Sequence, residues 1–248
     1  AEYDDPDDRR FHAQPNACPV CGPAYRLMDK AGKPCAGDAL QRTRERIREG
    51  FIVAIKGIGG YHLACDARNE QAVYRLRSRK VREDKPFAVM AGGMAAVKRQ
   101  CTVSPAEEEL LHSSARPIVL LPKGIDYNLA DSVAPGNPYI GVMLPYAPVH
   151  WLLLAEQDVW VFTSGNISDE PIAYEDRDAC RRLAAIADYY LVHNRPIYCR
   201  ADDSVVRVIR DKPYVLRRGR GLAPAPVRLG RSQGEILACG GEQKNAFC

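Results

Sequence analysis

Short apolar runs, too brief for helices and bounded by glycine or proline, constrain this chain most. Phe51-Ile-Val-Ala-Ile-Lys56 reads as a buried strand running into the glycine turn Gly57-Ile-Gly-Gly60. Pro86-Phe-Ala-Val-Met90, Pro117-Ile-Val-Leu-Leu121 and Val159-Trp-Val-Phe162 repeat the pattern. Helix-length stretches lie between them. Asp38 can cap a helix over 39–49 that Gly50 ends, and Ser104-Pro-Ala-Glu107 is a capping box opening a helix over 105–112. Further helices are expected near 69–80, 147–154 and 175–186, and β-like segments at 189–193, 204–209 and 213–217. Strands alternating with helices predict an α/β fold, and the short spacings near the end predict some antiparallel pairing. Residues 1–37 read as irregular, 122–138 as a loop, and Ile236-Leu-Ala-Cys-Gly-Gly-Glu-Gln-Lys244 as the first strand and turn of a further domain.

With 248 residues, 46% hydrophobic and 27% charged, the chain can bury a full core without disulfide staples. No apolar run approaches the roughly 20 residues that span a bilayer, and the acidic start lacks the pattern of a signal peptide. The expectation is a cytoplasmic protein without a membrane partner. A net charge of +4 suits a polyanionic small ligand as well as it suits nucleic acid. Nine cysteines in such a chain point to thiols or metal ligands, and the seven isolated ones read mostly as small buried hydrophobes.

Four features carry chemistry. Cys18 and Cys21, flanked by proline and glycine, have the spacing to share a zinc ion, although a structural site needs four ligands and only His12 or Cys35 is at hand. Lys80, Arg82 and Lys85, just before a strand, could converge on a triphosphate; a solvated basic helix end is the plainer alternative. Thr163, Ser164, Gly165 and Asn166 follow an apolar strand, where α/β sheets bind ligands, but an ordinary turn would look the same. Asp202 and Asp203, just before Ser204, could help hold Mg²⁺ or simply end a turn, and Arg217 and Arg220 could serve phosphate or a carbonyl oxyanion. His62 and His150 sit beside apolar residues and read as core or hydrogen-bonding groups. No Ser-His-Asp or Cys-His grouping supports covalent catalysis.

Taken together and in order, the segments resemble the HypF family of carbamoyltransferases. The matching stretches include Phe11-His12 with Cys18-Pro-Val-Cys21-Gly-Pro23, Lys56-Gly-Ile-Gly-Gly-Tyr-His-Leu-Ala-Cys-Asp66 and Arg79-Lys-Val-Arg-Glu-Asp-Lys-Pro-Phe-Ala-Val-Met90. They continue through Gly141-Val-Met-Leu-Pro-Tyr146, Thr163-Ser-Gly-Asn166, His193-Asn-Arg-Pro-Ile197, Arg200-Ala-Asp-Asp-Ser204 and Leu237-Ala-Cys-Gly-Gly-Glu-Gln-Lys-Asn245. The resemblance implies a YrdC-like twisted mixed sheet over 38–230. It also implies the tail of a zinc-finger region over 1–37 and the start of a sugar-kinase-like transfer domain over 231–248.

The activity implied is synthesis of a carbamoyl-adenylate from ATP and carbamate derived from carbamoyl phosphate. Transfer to the C-terminal cysteine of HypE, during [NiFe]-hydrogenase maturation, would follow in the longer enzyme. By the same resemblance the K-x-R and S-x-N signatures fall on Lys80/Arg82 and Ser164/Asn166, and Arg217 falls on a phosphate-contacting arginine. Lys85, Thr163 and Ser204 join them as nucleotide residues, Mg²⁺ accompanies ATP, and Cys18/Cys21 hold part of a zinc site. Lys56 and His62 are the candidates for orienting the carbamate. Two other readings stand beside this one: a threonylcarbamoyl-adenylate synthase, and a module binding double-stranded RNA weakly through a basic face. Threonine-using relatives carry a Pro-Thr-x-Thr turn where this chain has Lys56-Gly-Ile-Gly59, which favours the smaller substrate.

Overall fold

A computed structural model describes residues 4–8, 22–167 and 170–226. Local signals start several elements. Asp38 caps α1 (Ala39–Arg48) by accepting from the Gln41 N–H, and Gly50 at φ +86° turns the chain toward β2 (Val53–Lys56). Gly57 N–H donates to Gly60 O and closes a hairpin with β3 (Tyr61–Asp66), a strand absent from the sequence reading. β3 is buried on both faces over nearly its whole length, so it lacks the alternation that marks a half-exposed strand. Asn69 then caps α2 (Glu70–Arg79), which leads to β4 (Ala88–Ala91) and α3 (Met94–Gln100).

The capping box of Ser104 and Glu107 forms at α4 (Pro105–His112), as its spacing predicts. Ser104→Ala should lower stability by about 1 kcal/mol, read by urea unfolding. The remaining elements are β5 (Ile118–Pro122), β6 (Tyr139–Met143), α5 (Pro148–Leu153), β7 (Val159–Ser164), α6 (Asp176–Arg182), β8 (Tyr189–His193), β9 (Val205–Ile209) and β10 (Lys212–Arg217). Residues 1–37 are not wholly irregular: β1 (Tyr25–Asp29) pairs with β8 at the edge of the sheet.

The ten strands among the described residues form one sheet in the order β1-β8-β2-β3-β7-β4-β6-β5-β9-β10. The pairs β2/β8, β4/β6 and β5/β9 are parallel and the others antiparallel, so the sheet is mixed as expected. Alternate residues feed two cores. Val53 and Ile55 pack with Ile47 of α1 and Leu153 of α5, whereas Ala54 faces the core that holds Leu76 of α2, Val97 of α3 and Leu111 of α4. Among the described residues no helix is long and apolar enough to cross a membrane.

Candidate functional site

The site grows from the C-terminal end of α2. Arg82 N–H donates to Arg77 O and Val81 N–H to Ser78 O, a helix-ending pattern that places Val81 at φ +53°. Glycine normally fills that position; a β-branched residue there is strained. The turn puts Lys80 and Arg82 on the same cleft, about 750 Å³ in volume, with Lys85, Thr163, Ser164, Asn166 and Arg217 also on its walls. The loop after α2, the end of β7 with the turn that follows it, and the end of β10 therefore bring together the basic and small polar residues that sequence spacing alone left ambiguous.

Each group has a definite environment. Lys80 is 1% exposed, and its Nζ donates to Ser164 O at 2.6 Å, Asn166 Oδ1 at 2.6 Å and Asn166 O. Its ammonium thus lies under the Ser164–Asn166 turn and fastens it. Ser164 Oγ donates to Asn166 Oδ1 at 2.7 Å. Gly165 has no room for a side chain, since a Cβ there would stand 2.6 Å from Tyr61 O. Arg82 donates from Nε to Lys85 O and from Nη2 to Pro86 O, and its guanidinium lies 5.0 Å from the Phe87 ring centroid. Burial, then the charges of Arg77 and Arg217, push the Arg82 pKa down to about 10. Cations gathered along one stretch of a cleft attract anions, although Glu83, Asp84, Glu170, Asp202 and Asp203 line the same cleft. Arg217 donates from Nε to Asp203 O at 2.8 Å.

Three expected site residues stand elsewhere. Ser204 is fully buried, accepts from Gly219 N–H and donates to Arg220 O, so its hydroxyl braces the backbone and does not face the cleft. Lys56 is 3% exposed and pairs with Asp176 at 2.7 Å while donating to His193 O. His62 stands behind the wall, its ring stacked on Phe162 at 4.7 Å, and Asp203 Oδ2 accepts from its Nε2–H at 3.2 Å. Asp203 Oδ1 also accepts from Arg220 Nε at 2.7 Å, so both carboxylate oxygens already hold a cationic or N–H partner. Burial alone would raise the Asp203 pKa, but the His62 hydrogen bond and the nearby charges of His62 and Arg220 hold it well below the usual carboxylate range. Cys18 and Cys21 lie outside the described residues, and so does the Ile236–Lys244 segment. Among the described residues no cluster of three or more His, Cys, Asp or Glu could hold a metal.

Behind Phe162, His150 is wholly buried and neither ring nitrogen has a hydrogen-bond partner. Burial, reinforced by the charges of His62 and Arg220, pushes its pKa down to about 3. The unfolded imidazole titrates near 6.5, so the unfolded state binds the extra proton between these values. This contribution to stability is complete above about pH 6.5 and falls by about 1.4 kcal/mol per pH unit as the pH drops toward 3. His150→Phe should remove that slope and raise stability near pH 7 by about 1–2 kcal/mol, measured by urea denaturation across the range.

Two arginines shape the cleft from behind: Arg77, which sequence reasoning passed over, and Arg220, which it read as a possible phosphate ligand. Arg77 looked like one member of a basic run, yet it is 8% exposed and bound to backbone carbonyls of two loops. Arg220 lies 3.4 Å from the Tyr146 ring centroid and joins Asp203. Arg77 joins a loop just ahead of it to Ser132, and Arg220 joins Asp203 to the distant Ala115 and Arg116, pairings that no local pattern announces.

The fold and the site define an α/β domain whose cleft, large enough for a small molecule, is lined by both cationic and carboxylate side chains. The Sua5/YciO/YrdC family model, described as telomere recombination, matches residues 45–219, and the HypF finger model matches residues 1–28. The chain belongs to the Sua5/YciO/YrdC family. It is 49% identical, over its full length and 33% of the relative, to the carbamoyltransferase HypF of Rhodobacter capsulatus. A crystal structure of full-length HypF in its phosphate- and nucleotide-bound form superposes with a TM-score of 0.89 at 48% identity, covering all of this chain and 32% of that one. The human threonylcarbamoyl-AMP synthase is 31% identical over 61% of this chain and 56% of its own length. The chain thus spans about a third of the length of the HypF proteins it matches.

Proposed function

We propose that this chain is the adenylate-forming part of a HypF-type carbamoyltransferase and that the cleft binds ATP. The observation that carries the reading is the meeting of Arg82, Lys85 and Arg217 with the Lys80-fastened Ser164–Asn166 turn around one cleft. Arg82, Lys85 and Arg217 neutralise the phosphates, while Thr163, Ser164 and Asn166 seat the nucleotide. A carbamate oxygen attacks the α-phosphorus in line, the bond to the bridging oxygen breaks, and pyrophosphate leaves with its electron pair. The products are carbamoyl-AMP and pyrophosphate, with no proton transfer required. Such transfers are accelerated chiefly by positioning and charge stabilisation.

Mg²⁺ characteristically binds through substrate phosphates and one or two carboxylates. Glu83, Asp84 and Asp202 are among the carboxylates that line the cleft, and one or two of them would hold such an ion together with the phosphates. Bound there, it would offset phosphate charge. In the longer enzyme the carbamate comes from carbamoyl phosphate, the carbamoyl group passes to the C-terminal cysteine of HypE in the cytoplasm, and Cys18 and Cys21 contribute to a structural zinc site.

The glycine turn supports the carbamate over a threonine-derived substrate. A Cβ at Gly57 would meet Gly60 O at 3.0 Å and His62 Nδ1 at 3.1 Å, and one at Gly59 would stand 2.7 Å from Ala201 O, so hydroxyl-bearing residues do not fit there. Titration calorimetry with MgATP on the wild type and on the Lys80→Ala/Arg82→Ala double variant tests the site; binding that the double substitution abolishes is the expected result. ATP–pyrophosphate exchange then separates the substrates. Stimulation by carbamoyl phosphate in the longer enzyme supports this reading, stimulation by threonine overturns it in favour of the tRNA-modifying branch, and RNA binding indifferent to ATP favours a non-catalytic module.

A further inference from the structure

The loop that carries Arg82 and Lys85 has no secondary structure of its own, yet it presents both side chains to the cleft. Arg77, one turn back on α2, accounts for this. Its Nη1 donates to Arg82 O at 3.0 Å, Glu83 O at 2.6 Å and Lys85 O at 3.3 Å, so it reaches three carbonyls of the loop. Its Nε and Nη2 donate to Ser132 O at 3.0 and 2.6 Å, and Nη2 also reaches Val133 O. The second loop is itself pinned, because Ser132 bonds the Glu70 carboxylate and Phe87 N–H donates to Val133 O. The guanidinium also lies 4.7 Å from the Phe87 ring centroid, the ring that Arg82 contacts.

We infer that Arg77 is a positioning residue for polyanion binding: it gathers the carbonyls of Arg82, Glu83 and Lys85 and so holds the loop from which the Arg82 and Lys85 side chains line the cleft. The inference rests on the nucleotide reading of the cleft and adds a residue that touches no ligand. Only a guanidinium can do this work, since it offers five donors in a planar fork directed at two loops, whereas an ammonium supplies three donors from a single point. Arg77→Lys keeps the charge and loses the bracket. The phosphate part of the ligand should feel that loss, and the nucleoside part, seated on the Ser164–Asn166 side, should not.

Calorimetry with inorganic pyrophosphate and with adenosine, each on the wild type, Arg77→Lys and Arg77→Gln, reads the difference. Both variants should bind pyrophosphate about tenfold or more weakly, the equivalent of one hydrogen bond to a charged group, with adenosine affinity within about twofold of wild type. Amide exchange at Arg82 and Phe87 should quicken in Arg77→Lys while the β4 amides keep their protection, a readout that holds even if Arg77→Gln fails to fold. Wild-type pyrophosphate affinity in Arg77→Lys overturns the inference, since charge alone then suffices. A parallel loss of adenosine affinity also overturns it, because the effect is then on the whole fold. Absence of pyrophosphate binding by the wild type instead removes the nucleotide reading beneath it.

Discussion

Lys80→Met is expected to destabilise the protein by about 3 kcal/mol and to weaken ATP binding by about a hundredfold or more. Methionine is unbranched like lysine and only one atom shorter, but has none of its donors. Three oxygens, Ser164 O, Asn166 O and Asn166 Oδ1, would lose their shared ammonium in a nearly dry setting. Oxygens stripped of a donor inside the protein cost their full desolvation penalty, which is why the stability term is large. The binding term follows from geometry: the turn that seats the nucleotide loses its fastening, and the cleft loses a positive charge beneath it. Arg82→Met is the informative contrast, because Arg82 donates to two carbonyls of its own loop and fastens no distant turn. Urea unfolding and MgATP calorimetry on both variants should separate them, with Lys80→Met failing in both assays and Arg82→Met chiefly in the second. Unchanged stability in Lys80→Met would mean that the turn holds without the lysine.

The second large effect concerns Asp203. Its carboxylate joins His62 to Arg220, and its backbone oxygen accepts from Arg217. Asp203→Ala leaves the Arg220 guanidinium, 10% exposed, with the Ala115 and Arg116 carbonyls and the Tyr146 ring but no anion, and should cost about 3–5 kcal/mol, as breaking a buried ion pair does. The sign of the acid response follows from the lowered pKa. The carboxylate contributes fully above the unfolded value of about 3.9, and its contribution drains away as the pH falls below that value toward the depressed folded one. His150 acts in the higher window between about 6.5 and 3, so denaturation midpoints from pH 2.5 to 7 distinguish the two. Asp203→Asn should flatten the curve below pH 4 and leave the His150 slope in place. An acid limb unchanged in Asp203→Asn would assign it to other carboxylates.

What the sequence disclosed was local. Asp38 and the Ser104–Glu107 box announce their helices because caps act within one turn, and Val159–Phe162 announces a strand because it is apolar throughout. α3 gives no such notice: Gly93 precedes it and no side chain caps it. β6 was hidden by Gly141, a residue that weakens a strand pattern but is needed here, where a Cβ would stand 2.8 Å from Ile118 Cγ2. The family resemblance pointed to Lys80, Arg82, Ser164 and Asn166, and the fold places all four on one cleft. It could not say that the Lys80 ammonium turns inward, or that Lys56 and His62 are occupied by Asp176 and Asp203, because those pairs span 120 to 141 positions of chain, a separation at which sequence spacing carries no geometry.

The strand order also sets a timetable for folding. β2 meets β3 through a four-residue turn and can pair as soon as both exist. Its other edge, however, waits for β8, which inserts between β1 and β2 from more than 130 residues downstream. While the chain emerges from a ribosome, β2 and β1 each present an open row of backbone donors and acceptors, the kind of edge that recruits foreign strands. Pairings so distant in sequence also slow the final closure. The span between Lys56 and Tyr189 is therefore the interval in which this chain most needs protection from its neighbours, and shortening that interval should raise the yield of folded protein more than strengthening any single contact within it.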